Sequence, residues 1–226
     1  MSDGRTTILA RVREALSIPT DTKFLHFRQH DGAAPADPRT FMPPCGDNAK
    51  DRIELFRLNS EQLRTEFHVC PDLEMAAVLV RGLAAKEGWK KVGAHRHPMV
   101  DALVAGAGVP VLLTDDGYAT PDLESCSVGI TACEALIAQT GSVLVTSRSS
   151  GGRALSVLPE HHIVIAKADQ LIGGLSDAYD LLHNRYGENW PSFMSFITGP
   201  SRTGDIERIL VLGAHGPKRL TVLMIA

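Results

Sequence analysis

From residue 49 to the end of the chain, helical and extended signals alternate, and the extended ones are short β-branched runs that are apolar on both faces. VPVLLT (residues 109–114), SVLVT (142–146) and HHIVIA (161–166) are the clearest of them. Strands of that kind need cover on both sides, which in practice means a parallel sheet layered with helices. The alternation therefore predicts an α/β fold with a mostly parallel, doubly wound sheet. Strands are expected at 67–70, 91–94, 109–114, 126–130, 142–146, 161–166, 195–198 and 220–225. Helices are expected at 49–66, 71–86, 97–105, 131–139, 177–185 and 205–210. In such a sheet the ligand belongs at the carboxyl ends of the strands, near a topological switch.

Ahead of this block, residues 6–16 place Ile8, Leu9, Val12, Ala15 and Leu16 on one helical face, and 17–48 carry five prolines with few aliphatic residues. The organisation read from this is an N-terminal helix and proline-rich irregular arm over 1–48, followed by an α/β domain over 49–226.

With 23 Lys+Arg against 26 Asp+Glu, the 226-residue chain carries a net charge of −3, and its aromatic content is 5%. A phosphate-binding surplus and base-stacking platforms are both missing, which argues against a nucleic-acid partner. The longest uncharged apolar stretches, 102–114 and 135–147, are too short to span a bilayer. The N-terminus lacks the apolar core of a signal peptide. Cys45, Cys70, Cys126 and Cys133 form no CxxC pair, so they read as free thiols, and neither a cluster nor a metal site is encoded in the usual spacing. A cytoplasmic location without a membrane span is the expectation.

Familiar cofactor fingerprints do not fit. GAGVPV (106–111) has Val111 where a dinucleotide motif needs its third glycine, and it precedes a strand instead of following one. Walker A, HExxH and GxSxG are missing as well. His95 and His97 alternate, but Pro98 follows at once and no third ligand is near in sequence, so they read as surface-loop histidines. His161 and His162 would point to opposite faces of a strand and read as strand-edge residues.

Three segments carry chemistry. SRSSGGR (147–153) joins hydroxyls, glycines and two guanidinium groups, among them Arg148, in one turn that can hold a carboxylate or phosphate or serve as a plain solvated loop. TACEALIAQTG (131–141) places Glu134 early in the expected helix and Thr140 and Gly141 at its end. A carboxylate there can be a general base, an anchor or merely a dipole partner. Cys133 beside it reads as a buried, inert thiol. The third and richest segment, residues 198–217, sets Gly199, Ser201, Arg202 and Thr203 at the expected start of the 205–210 helix, with Asp205 in its first turn and His215 and Gly216 in the turn beyond. Free amides and a guanidinium at a helix start favour an anion. A histidine, titrating near neutrality, is the group to exchange a proton. The expected site thus has His215, Glu134 and Asp205 as catalytic candidates. Ser201, Arg202, Thr203, Gly199, Gly216, Arg148, Thr140 and Gly141 are the substrate-binding candidates, all in one cleft at the carboxyl edge of the sheet.

SRTGDIERILVLGAHGP (201–217), with ITACEALIAQTGSVLVTS and LPEHHIVIAK upstream (130–167), resembles the signature of the LUD-domain family, the group of the lactate-utilisation protein C subunits. The likeness extends from about residue 51 to the C-terminus. It implies a sheet similar to the NagB, ribose-5-phosphate isomerase and CoA-transferase superfamily, and a setting in the oxidation of L-lactate to pyruvate by a multi-component, iron-sulfur dependent system. In that family a larger sister protein carries ferredoxin-like cysteine motifs that this chain lacks. The resemblance therefore implies no cofactor in this chain, with iron-sulfur clusters on that sister protein or on a cysteine-rich partner subunit. The leading expectation is a non-cluster subunit, inactive alone, that offers a small-acid pocket or an assembly surface. An independent isomerase or CoA-transferase-like enzyme, and a non-catalytic scaffold using the proline-rich arm, stand as alternatives, since fold alone does not decide function. A homo-oligomer is compatible with all three.

Overall fold

A computed structural model describes residues 4–17, 43–204 and 210–226. The chain divides into two units, Met1–Met42 and Pro43–Ala226. In the first, α1 (Gly4–Ser17) forms where the apolar spacing predicts it; most of the expected arm, 18–42, lies outside the described residues.

The second unit follows the expected alternation. Its helices and strands run α2 (Ala49–Leu63), β1 (Glu66–Cys70), α3 (Leu73–Glu87), β2 (Val92–Ala94), α4 (Pro98–Ala107), β3 (Val111–Leu113), α5 (Thr120–Glu124), β4 (Val128–Thr131), β5 (Ala135–Ile137), β6 (Ser142–Thr146), β7 (His161–Lys167), β8 (Leu171–Ile172), α6 (Leu175–Tyr186), β9 (Met194–Ile197), β10 (Arg202–Gly204), β11 (Leu210–Leu212) and β12 (Arg219–Ile225). Local signals set many of the boundaries. Asn48 and Asp72 accept backbone amides at the starts of α2 and α3, and glycines in the left-handed region stop α3 and α4.

Six strands form one wholly parallel sheet in the order β1-β12-β7-β4-β2-β3. One face packs Val92, Ile130, Ile163 and Ile165 against α3 and α4. The opposite face, with Val164, Ala166, Val222 and Met224, meets Phe56 of α2 and a second, mixed sheet of order β8-β5-β6-β9. That second sheet turns Leu136, Val143 and Val145 toward the first and Ala135, Ile137 and Leu144 toward α6. Period-two alternation thus feeds two separate cores from the same strands.

One expected helix is not there, and most of another lies outside the described residues. Residues 131–139 end β4, cross between the sheets and form β5, because every side chain from Thr131 to Ala138 is buried. A run buried on all sides carries no periodicity to separate helix from strand. Around the expected 205–210 helix, 205–209 lie outside the described residues, while the flanks pair as antiparallel strands, Arg202 with Leu212 and Gly204 with Leu210. Arg202 and Thr203 therefore enter a strand pair, with Ser201 just ahead of it. The aliphatic run Leu210–Leu212 supplies the backbone partners that a helix would have found internally.

Candidate functional site

Alternate residues Phe193, Ser195 and Ile197, on or just before β9, line one groove. Beyond β9 the chain turns at Gly199, whose φ is +82° and where an added Cβ would lie 2.9 Å from the Leu63 carbonyl oxygen. Glycine is required there by both conformation and space. Two backbone bonds, Ser201 N to the Pro217 carbonyl (2.8 Å) and Gly213 N to the Ser201 carbonyl (3.0 Å), then fasten Ser201 to the 213–217 turn. Their consequence is that His215 and Gly216 stand beside Ser201 and Arg202.

The groove so formed has a volume of about 430 Å³. Its polar groups are the hydroxyls of Ser156, Ser195, Thr198 and Ser201, the Arg202 guanidinium and the His215 imidazole. Arg202 and His215 are both exposed. Chemically this is a donor-rich wall with one fixed cation and one proton-exchanging group, suited to a small hydroxylated anion. Thr140 and Gly141 lie on the same side of the second sheet. Thr140 Oγ1 donates to Ser142 Oγ (2.8 Å), which bonds Thr198 Oγ1 (2.8 Å), and Gly141 packs on Asn59 and Leu63 of α2.

Glu134 and Arg148 are elsewhere. Glu134 is 2% exposed and sits where the chain crosses from β4 to β5. Its carboxylate accepts hydrogen bonds from the Thr146 hydroxyl (2.7 Å), the Tyr186 hydroxyl and the Arg185 guanidinium. Burial, then the bond to Glu134, pushes the Tyr186 hydroxyl pKa up. Arg148 lies over the Tyr186 ring, 5.1 Å from its centroid, and donates to Asn189 (2.8 Å). Phe193 and Ile197 of the groove wall pack with Val143 and Val145 on the inner face of the second sheet, whereas Thr146 alternates with them to the face that meets α6. The expected single cleft is thus divided by the second sheet. Gly199, Ser201, Arg202, His215 and Gly216 converge, Thr140 and Gly141 support them, and Glu134 and Arg148 belong to the α6 face. Thr203 is described only through its backbone in β10, and Asp205 lies outside the described residues.

The groove also stands at the opposite edge from the one expected. Pro217 and Ser156 precede the parallel strands β12 and β7, so it opens at their amino ends.

Other residues depart from their sequence reading. His95 is buried, accepting the Ala132 amide on Nε2 (3.2 Å), and burial lowers its pKa. His162 is wholly buried against Thr131, with Nε2 2.9 Å from Oγ1, and burial pushes its pKa down to about 3. Neither is a surface or edge residue, since the strands and the 147–153 turn close over them. Cys133 is buried with its pKa raised by burial, as an inert thiol would be. Cys70, Cys126 and Cys133 lie in three different apolar clusters, so these thiols do not converge. Among the described residues, no helix is long and apolar enough to cross a membrane.

The Tyr186–Arg185 pair and the Ser156 and Ser195 hydroxyls carried no sequence signal as site residues, and Thr198 stood out only as the first residue of the 198–217 segment. Only the two-residue spacing of Phe193, Ser195 and Ile197 on an expected strand could have indicated a shared face.

Comparison with known proteins agrees with the topology. A crystal structure of a DUF162 family protein from Deinococcus radiodurans shares the fold with a TM-score of 0.60 at 18% identity, covering 80% of this chain and 100% of that one. Lactate utilization protein C of Geobacillus thermodenitrificans is 35% identical over 199 residues, covering 80% of this chain and 81% of that protein. Lactate utilization protein C 1 of Bacillus mycoides is 36% identical over 104 residues, 45% of this chain and 44% of its own length. The chain thus spans less than half of some curated relatives and most of others. The LUD domain matches residues 113–225, which include both the Glu134 cluster and the groove, and with the 35% identity over four-fifths of the chain this establishes that the protein belongs to the LUD domain family.

Proposed function

We propose that this chain is the non-cluster component of an L-lactate utilisation system and that the Arg202–His215 groove is its small-acid pocket. The observation that carries the reading is the convergence of Ser201, Arg202 and His215 on one groove, in a chain whose relatives are named lactate utilization protein C. Arg202 takes the carboxylate, the Ser195 and Ser201 hydroxyls hold the 2-hydroxyl, and His215 accepts its proton as the carbonyl forms. Oxidation of lactate to pyruvate breaks the hydroxyl O–H and the Cα–H bonds and releases two electrons and two protons. His215 takes the hydroxyl proton, and the Cα–H proton leaves to solvent. The electron pair of that C–H bond passes to an iron-sulfur partner protein, without which the chain is inactive.

The test is calorimetric binding of L-lactate to the purified chain, followed by turnover assays with an artificial electron acceptor, first alone and then with a co-purified cysteine-rich partner. Lactate binding without turnover, with activity appearing when the partner is added, is the expected result. Turnover by the isolated chain would favour an independent enzyme. Absence of lactate binding, with a stable partner complex, would favour a scaffold.

A further inference from the structure

At the opposite edge of the parallel sheet, beyond the carboxyl ends of β7 and β12, lies a second cavity of about 500 Å³. Its size is ordinary for small-molecule sites, which run from about 300 to 1,000 Å³, and its position is the one that open parallel sheets use for ligands. Its walls are apolar: Leu73 and Met99, in the first turns of α3 and α4, and Ile225 at the end of β12, with Ala226 beside it. At the rim stand two charges of opposite sign, Lys167 and Asp169, on either side of Ala168.

The turn that carries this pair is held in place. The Gln170 side chain accepts the Lys167 amide (2.8 Å) and donates to the Cys133 carbonyl (2.8 Å), which ties the turn to the crossing between the sheets. Lys167 and Asp169 are both exposed, and among the described residues neither enters a salt bridge. A ligand complementary to this cavity has an apolar body and, next to each other, one anionic and one cationic group.

The geometry points to a binding site for an aliphatic α-amino acid, its carboxylate on Lys167, its ammonium on Asp169 and its side chain among Leu73, Met99 and Ile225. A simple monocarboxylate would satisfy Lys167 and be repelled by Asp169, and a cation would meet the reverse. A zwitterion alone satisfies both charges while filling the apolar wall. The site is separate from the lactate groove, since β12 runs from one to the other and spans about 20 Å at strand rise. It does not depend on the function proposed for that groove.

Three probes share one apolar body and differ only at the α carbon: L-leucine, 2-hydroxy-4-methylpentanoate and 4-methylpentanoate. Calorimetric titration of the full chain should show saturable leucine binding, with the hydroxy acid at least about tenfold weaker and the unsubstituted acid weaker still. Lys167→Met and Asp169→Asn should each weaken leucine binding about tenfold or more, and Met99→Trp should abolish it by filling the cavity. Arg202→Ala should leave it unchanged. Independently of these variants, the Met99 ε-methyl resonance of methyl-labelled wild-type protein should shift saturably with leucine. No saturable binding, equal binding of the three probes, tighter binding of the hydroxy acid, an unmoved Met99 resonance or loss on Arg202→Ala would each overturn the assignment.

Discussion

The Thr146 hydroxyl donates a 2.7 Å hydrogen bond to Glu134 Oε1 and itself accepts the backbone amides of Arg148 and Ser149, each at 3.2 Å. One buried carboxylate therefore sets the first residues of the 147–153 turn, and through Tyr186 and Arg185 it also holds the last turn of α6. Glu134→Ala leaves two hydroxyls and a guanidinium without their acceptor. Removing one partner of a buried pair costs about 3–5 kcal/mol, but the Arg185 side chain is 49% exposed and water replaces part of that loss. The expected destabilisation is about 2–3 kcal/mol in urea unfolding, and Glu134→Gln should recover about half of it. A loss below about 0.5 kcal/mol would mean that the cluster does not hold the turn.

Gly151 closes that turn over the ends of β2 and β3. Its φ is +65°, an added Cβ would lie 2.3 Å from His95 Cβ and 2.8 Å from Thr114 Oγ1, and its carbonyl accepts the Thr114 hydroxyl at 3.0 Å. Gly151→Ala combines an unfavourable backbone with a clash, and roughly 2–4 kcal/mol of stability should be lost. Gly88→Ala provides the control: φ is +63° with nothing within 4 Å, so only the backbone cost of about 1 kcal/mol is expected. Equal melting temperatures for the two variants would contradict the packing argument.

Acid should destabilise the fold early. Burial depresses the pKa of His95, His161 and His162, the last to about 3. The unfolded chain titrates these groups near 6.5, so it binds more protons than the native state below that pH. The stabilisation is complete above about pH 6.5 and is lost as pH falls toward the native values, at up to about 1.4 kcal/mol per pH unit for each histidine. Urea midpoints measured between pH 7 and pH 5, above most carboxylate titration, should fall steadily, and His162→Asn should flatten the slope. A pH-independent midpoint in that window would refute the account.

In the groove, binding and chemistry should separate. Arg202→Ala should weaken lactate binding at least about tenfold. His215→Gln should leave binding within about threefold while lowering turnover of the assembled system by about 100-fold or more, the usual contribution of a general base. Arg148→Ala, on the α6 face of the second sheet, should change neither. Loss of lactate binding on Arg148→Ala, with none on Arg202→Ala, would move the pocket to the Glu134 face.

Local patterning was enough for the parallel sheet. HHIVIA and SVLVT read as strands because β-branched runs apolar on both faces have few other uses, and α3, α4 and α6 announce themselves through caps, glycine stops and apolar spacing. The 201–217 motif was likewise legible as the place where polar groups gather, and Ser201, Arg202 and His215 do meet. What the amino-acid order left open was decided by contacts between distant segments. Residues 131–138 became a crossing and a strand because both neighbouring layers cover them, and burial on every side removes the periodicity that separates helix from strand. Arg202 to Gly204 became a strand because Leu210–Leu212 offers it a backbone partner, a choice that depends on pairing between segments rather than on local propensity. Glu134 and the groove that holds His215 ended apart because the Thr146 end of β6 turns Glu134's partner to the α6 face while the groove wall of β9 lies on the other, and order along a chain does not encode which face of a sheet a distant segment will cover.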